Sequence, residues 1–304
     1  MTLSVLIALY LLGVMLYKGK EGQMMNEDIY VENFSGANDS IKIQAAIDYA
    51  RTKKGKTVKL GNKDYLITKP IIIMQGVKLL FDYGTRFIVK GNFRVLEIQK
   101  NASLEGAYIA IDDPAFNSEV IYLNGKYKYY NTWHRTQIRD INIVNWHSSH
   151  KGIGLSLFSG GAGHEISFVN FENIKIAGMR IGIKLVASRP SSGFAWINAN
   201  RFLSVSLDDC IEMITMSSSS TVPNEISGNQ FKDLQIQPTS ITTKVLKVSG
   251  QFNYFNGMIW DVSSIPQNRP VIELTANSMD TTLHIPSVPN NRIINNGQRN
   301  KVNL

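Results

Sequence analysis

One six-residue pattern recurs along nearly the whole chain: an apolar residue, two others, an apolar or small residue, one other, then an apolar residue. Its instances are Met74/Val77/Leu79, Leu104/Ala107/Ile109, Ile138/Ile141/Ile143, Phe171/Ile174/Ile176, Phe202/Val205/Leu207, Phe231/Leu234/Ile236 and Phe255/Met258/Trp260. Their first positions are separated by 30, 34, 33, 31, 29 and 24 residues. A period in this range marks a solenoid, in which each unit buries its apolar face only against its neighbours. Most units are followed by a second short apolar stretch: 120–123, 153–157, 181–185, 211–214, 245–248 and 271–274. Two or more short strands per turn, joined by Gly, Asn and Ser, are the layout of a β-helix coil. The expected fold is therefore all-β, a single-stranded right-handed parallel β-helix.

Side chains of a strand point alternately to its two faces, so the fourth and sixth positions of each unit share the inward face. Asn200, Asn229 and Asn253 each lie two residues before the Phe of their unit. Two readings fit that spacing: an internal asparagine stack bonding consecutive coils, or plain turn formers at strand starts.

Ahead of the repeats, Ile41, Ile43, Ala46, Ile47 and Ala50 have helical spacing, with Asn38, Asp39 and Ser40 available as N-caps. A helix over 39–51, ended by Gly55, is placed to cover the open end of the coil core, and 58–67 reads as the first strands. The chain divides into an apolar segment (1–23), a cap containing the helix (24–57) and the β-helix (58–304). Residues 2–17 carry no charge and are followed by Lys18 and Lys20. They read as a membrane-directed segment, short for a spanning helix and without a signal-peptide cleavage site, or else as residues ahead of a true start at Met24 or Met25.

Lys and Arg number 32 against 24 Asp and Glu, a formal charge of +8, so the surface attracts anions. The basic residues are scattered and no nucleic-acid-binding motif is present, which argues against nucleic acid as the partner. A single cysteine, Cys210, rules out an intrachain disulfide and a four-thiolate metal site. No cofactor motif is found. Gly160-Gly161-Ala162-Gly163 lacks the Lys-Ser/Thr of a phosphate loop and reads as a turn between coils.

The stretch from Ile29 to Leu79, with "NFSGANDS" and "IQAAIDYARTKKGKTVKLGNKDYLITKPIII", resembles the N-terminal part of the pectate-lyase-like superfamily, found in polygalacturonase relatives and in phage tailspike or preneck-appendage proteins. The later stretches "NANRFLSVSLDDCIEM", "SGNQFKDLQIQ" and "NYFNGMIWD" resemble coils of phage appendage proteins, so the likeness runs from Ile29 to the C-terminus. It implies the β-helix with a capping helix, a polysaccharide partner, a homotrimer in the phage case, and an extracellular, cell-surface or virion location. Of four polygalacturonase motifs only the second is matched, by Asp208-Asp209-Cys210-Ile211; no N-T-D precedes it and no G-H-G follows it. Fold similarity does not carry activity.

Cleavage of a glycoside needs one carboxyl to protonate the leaving oxygen and one to activate water or attack. The outward residue after each unit is Leu80, Ala110, Val144, Ala177, Asp208, Gln237 and Asp261 in turn. Asp208 and Asp261 then share one outer stripe, two coils apart with Gln237 between, at roughly 9–10 Å for a coil rise of about 4.8 Å. Asp208, Asp209 and Asp261 are the catalytic candidates, with Lys175, Gln235 and Gln237 contacting sugar. The bland alternative makes these Asp residues turn formers. Tyr127, Tyr129, Tyr130 and Trp133 crowd one loop and Phe194 and Trp196 another; Tyr129 and Trp133 are the expected sugar platforms. His134, His147, His150 and His164 lie in loops without ligand spacing, and Asp112, Asp113 and Asp140 have no spacing that demands Ca²⁺, so no metal site is assigned. The expected partner is an acidic polysaccharide, either degraded, by a glycoside hydrolase or a lyase, or bound by a non-catalytic tailspike-like appendage or surface protein.

Overall fold

Short runs of β-branched and aromatic residues with alternating burial form strands here because each alternate side chain finds an apolar partner one coil above or below. In the computed structural model, which describes residues 28–53, 57–130, 135–219 and 225–303, every strand pairing is parallel. One sheet runs rung by rung through Ile29–Tyr30, Thr57–Leu60, Lys78–Phe81, Ser103–Glu105, Gln137–Asn145, Asn170–Ala177, Arg201–Asp208, Gln230–Gln237 and Tyr254–Ile259, and ends at Lys301–Val302. A second begins at Ile71–Ile73 and Leu96–Ile98 and passes through Ile153–Ser159, Ile181–Ala187 and Glu212–Ser217 to Lys244–Gln251 and Ile272–Met279. The chain alternates between the sheets once per turn, which defines a parallel β-helix; its hand is right, as parallel crossovers almost always are.

The core is a set of ladders. Phe171, Phe202, Phe231 and Phe255 are buried and stacked face to face, with ring centroids 4.5, 4.2 and 4.8 Å apart. Beside them Asn200, Asn229 and Asn253 are buried, and each side chain bonds its neighbour: Asn200 Nδ2 donates to Asn229 Oδ1 at 2.9 Å, and Asn229 Nδ2 donates to Asn253 Oδ1 at 3.1 Å. The internal stack is therefore the correct reading of those three residues, since a turn former needs no buried side-chain partner.

The helix spans Asp39–Thr52, with the Asn38 side chain accepting from the Ile41 N–H and Ile43, Ala46, Ile47 and Ala50 buried against the first coil. Its expected stop at Gly55 lies outside the described residues, as does the segment 2–17. No described helix is long and apolar enough to cross a membrane.

Two phases of the repeat differ from expectation. Leu79 pairs with Leu104, not with Ile109, so Leu80 sits beside Glu105, and the true neighbour of Ala110 is Ile88. The early coils contain an extra turn, 82–85, which later shrinks to a single left-handed residue at Asp140, Asn173, Ser204 and Asp233. In the last unit Gly257 pairs with Leu234 and Ile259 with Ile236. Ile259 is thus the buried residue, whereas Met258 is only partly buried and Trp260 is 49% exposed. Gly257 permits this shift: its φ is +152°, and a Cβ there would lie 2.3 Å from the Leu234 carbonyl oxygen.

Candidate functional site

The strand Arg201–Asp208 delivers Asp208 to the outer face at its last residue, in register with Ala177 below and Gln237 above. The chain then turns at Asp209, whose φ of 49° takes the left-handed role that Gly178 plays one coil earlier. Asp tolerates that conformation better than most side chains. The turn-forming alternative is therefore right for the Asp209 backbone, and its side chain has a further use. Asp209 Oδ2 pairs with His150 Nε2 at 2.8 Å, and Oδ1 accepts from Thr239 Oγ1 at 2.8 Å. His150 reaches Asp209 from two coils away because the intervening turn, Gly178 to Arg180, is only three residues long.

Asp208 is partly buried, and its carboxyl is held above the usual aspartate range, first by desolvation and then by the neighbouring Asp209 carboxylate; Lys175 pulls the other way. Lys175 itself is exposed on the adjacent outward column, in register with Ser206, which is in register with Gln235. On the next coil Gln237 Nε2 donates to Asp261 Oδ2 at 2.6 Å, and Trp260 Nε1 donates to Gln235 Oε1 at 2.8 Å. The one-residue shift at Gly257 turns Trp260 outward and leaves Asp261 at the start of a short 3-10 turn with φ 41°. Asp208 and Gln237 follow one another along a single column, but its next residue is Trp260, because Ile259 pairs with Ile236. The expected place of Asp261 on that column is corrected: Asp261 is the left-handed residue just beyond it, as Asp209 is beyond Asp208, and it joins the patch only through its side-chain contact with Gln237.

Together these residues offer a carboxyl with a raised pKa, an imidazole oriented by a carboxylate, an ammonium, two amides and an exposed indole. Asp209 is not available as a separate acid or nucleophile, because both of its oxygens are engaged. Cys210, next in sequence, is fully buried and its thiol pKa is pushed up to about 12 by desolvation, which makes it a core residue.

The expected sugar platform at Tyr129 is corrected: its ring is wholly buried, and its hydroxyl donates to the Ile98 carbonyl. The loop folds back under the coil, where Tyr129 is in edge contact with the Tyr127 ring, while Tyr130 is 60% exposed. Trp133 lies outside the described residues. His134 lies outside the described residues; the others are dispersed: His147 pairs with Asp112, which also holds Lys90, Asp113 caps backbone N–H groups of Gly91 and Ala115, and Asp140 accepts from Asn173. His150, Thr239 and Trp260 were not singled out as site residues from sequence. The matched Asp208-Asp209 pair marked the neighbourhood, but the separations of His150 and Thr239 from Asp209, 59 and 30 residues, became contacts only through the coil.

No protein-family model and no curated protein matches the chain. Among solved structures it is similar to the A-module of the mannuronan C-5 epimerase AlgE4 of Azotobacter vinelandii, with 13% identity and a TM-score of 0.35 over 91% of this chain and 98% of that one. The A-module of AlgE6 from the same organism gives 13% identity and a TM-score of 0.33 over 91% and 96%. The strand ladder, the asparagine stack and the capping helix of the chain itself define its architecture, a right-handed parallel β-helix.

Proposed function

We propose that this protein binds a polysaccharide along its outer face and hydrolyses it at the patch formed by Asp208, Gln237 and Asp261. The observation that carries the reading is the state of Asp208, a partly buried carboxyl with a raised pKa beside a carboxylate already committed to His150 and Thr239. A raised carboxyl pKa is the direction of shift that general-acid catalysis requires. In this reading Asp208 protonates the departing glycosidic oxygen, and the Asp261 carboxylate takes the proton of the attacking water. Two rungs at about 4.8 Å each set their backbones roughly 10 Å apart, at the wide limit of inverting geometry. Gln235, Gln237 and Lys175 hold sugar hydroxyls or an acidic substituent, and the exposed Trp260 indole supplies a flat surface for a pyranose ring. Trp260 here takes the place expected of Tyr129.

A second reading, binding without cleavage in a tailspike-like appendage, draws support from one contact. Gln237 Nε2 occupies one Asp261 oxygen at 2.6 Å, which must be released before Asp261 can act as a base.

The test is incubation of the protein with polygalacturonate, alginate and wall teichoic acid, reading both reducing ends and the absorbance of unsaturated products. New reducing ends without unsaturation, lost in Asp208→Asn, support hydrolysis. Unsaturated ends make the protein a lyase, and retention without any cleavage supports the second reading.

A further inference from the structure

We infer that a separate binding groove, suited to a hydroxyl-rich polyanion, lies near the capping helix on the opposite edge of the second sheet. It measures about 770 Å³ and forms where the turns after Ile71–Ile73 and Leu96–Ile98 meet the last turn of the helix and the approach to Gln137–Asn145. Among the described residues its charged lining is Arg51, Lys78 and Arg135, with no carboxylate. Lys78 is held by Glu105 at 2.6 Å, whereas Arg51 and Arg135 are exposed and form no ion pair among the described residues. Gln75, Gln99 and Asn101 add amides; the Gln75 N–H donates to Gln99 Oε1 at 3.1 Å, which leaves Gln99 Nε2 to donate to a ligand.

The lining decides the chemistry of the ligand. Among the described residues no aromatic ring lines the groove, so none of them offers a nucleobase a surface to stack on. Its apolar member, Val77, is buried, so an acyl chain finds no surface either. Guanidinium forks beside amides match carboxylate or phosphate groups on a polymer rich in hydroxyls. The turns at Gln75 and Gln99 lie on successive rungs, so the groove runs along the coil axis and takes a linear chain.

This groove is distinct from the acidic stripe. Gln75 and Gln99 follow their strands of the second sheet, whereas Asp209 precedes Glu212–Ser217, so the two sites flank opposite edges. Four rungs separate Leu96–Ile98 from Glu212–Ser217, about 19 Å along the axis. The groove retains polymer without cutting it, and it rests on the proposed function only in the choice of probes.

The experiment measures affinity for polygalacturonate, poly(glycerol phosphate) and neutral hydroxyethyl cellulose at low and high salt, with the full chain and three variants. The expected result is salt-dependent binding of an anionic polymer, about tenfold weaker in the Arg51→Ala/Arg135→Ala double variant, retained in Arg51→Lys/Arg135→Lys and unchanged in Lys247→Ala, which removes an exposed charge outside both sites. Preference between the first two polymers identifies carboxylate or phosphate as the recognised group. The inference is overturned if the double alanine variant binds as well as the parent, if the neutral polymer binds equally, or if neither anionic polymer binds. Equal weakening in Lys247→Ala would make the binding a general effect of surface charge and remove the groove from it. Both arginines are exposed, so thermal unfolding should stay unchanged in the double variant.

Discussion

Replacing Asn229 by Ala tests the internal ladder that holds successive coils in register. The Asn229 side chain makes four buried hydrogen bonds: Oδ1 accepts from Asn200 N at 3.1 Å and from Asn200 Nδ2 at 2.9 Å, and Nδ2 donates to the Ile197 carbonyl at 2.9 Å and to Asn253 Oδ1 at 3.1 Å. At about 1 kcal/mol net each, their loss amounts to about 4 kcal/mol, and the Asn200 N–H left without its partner adds to it. Nothing can relax to compensate, because Asn200 and Asn253 are buried and fixed by their own bonds to the carbonyls of Ile166 and Ile226. A solenoid is stabilised by neighbour contacts, so the damage should concentrate in the coils between Asn200 and Asn253. Denaturant unfolding gives the magnitude, and hydrogen exchange read by mass spectrometry gives the place: amides of Arg201–Asp208 and Gln230–Gln237 should lose protection while Lys78–Phe81 keeps it. The partly exposed Asn256, changed to Ala, serves as control and should cost no more than about 0.5 kcal/mol. A loss below about 1 kcal/mol at Asn229, or one equal to the control, would refute the ladder as a structural element.

Other expectations follow from single residues. Asp208→Asn should abolish cleavage and at the same time stabilise the fold near neutral pH. Because burial raises the Asp208 pKa, its ionisation opposes folding; the gain in Asn should be full above the raised pKa, shrink as pH falls through it, and vanish below the ordinary aspartate range, as thermal unfolding across pH can show. Gly257→Ala should destabilise by about 2 kcal/mol or more, since its φ of +152° and the Leu234 carbonyl leave no room for a Cβ, with near-ultraviolet circular dichroism of Trp260 reporting the change. Trp260→Ala should weaken polymer retention several-fold with little change in unfolding temperature, because the indole is half exposed; unchanged retention would remove it from the binding face. His150→Ala should reduce turnover more than binding if the imidazole acts on the reacting bond, and equal losses of both would make it a contact residue only.

The sequence alone determined the repeat, the helix-capped β-helix, most core positions and the outward column that carries Asp208 and Gln237, but not the displacement of Asp261 from it. These follow from alternation and period, which are local properties that each unit restates. The asparagine ladder was visible as a spacing, but whether those side chains point inward was decided only by the coil, where each one finds its partner on the next rung. The coil also decided the phase of the first and last units, because an extra turn at 82–85 and a glycine with positive φ at 257 change the register without disturbing the apolar count. It buried Tyr129, turned Trp260 outward, and joined His150 to Asp209 across a short turn of another coil. Contacts of that kind depend on the lengths of intervening turns, and turn length has no signature in the strands it connects.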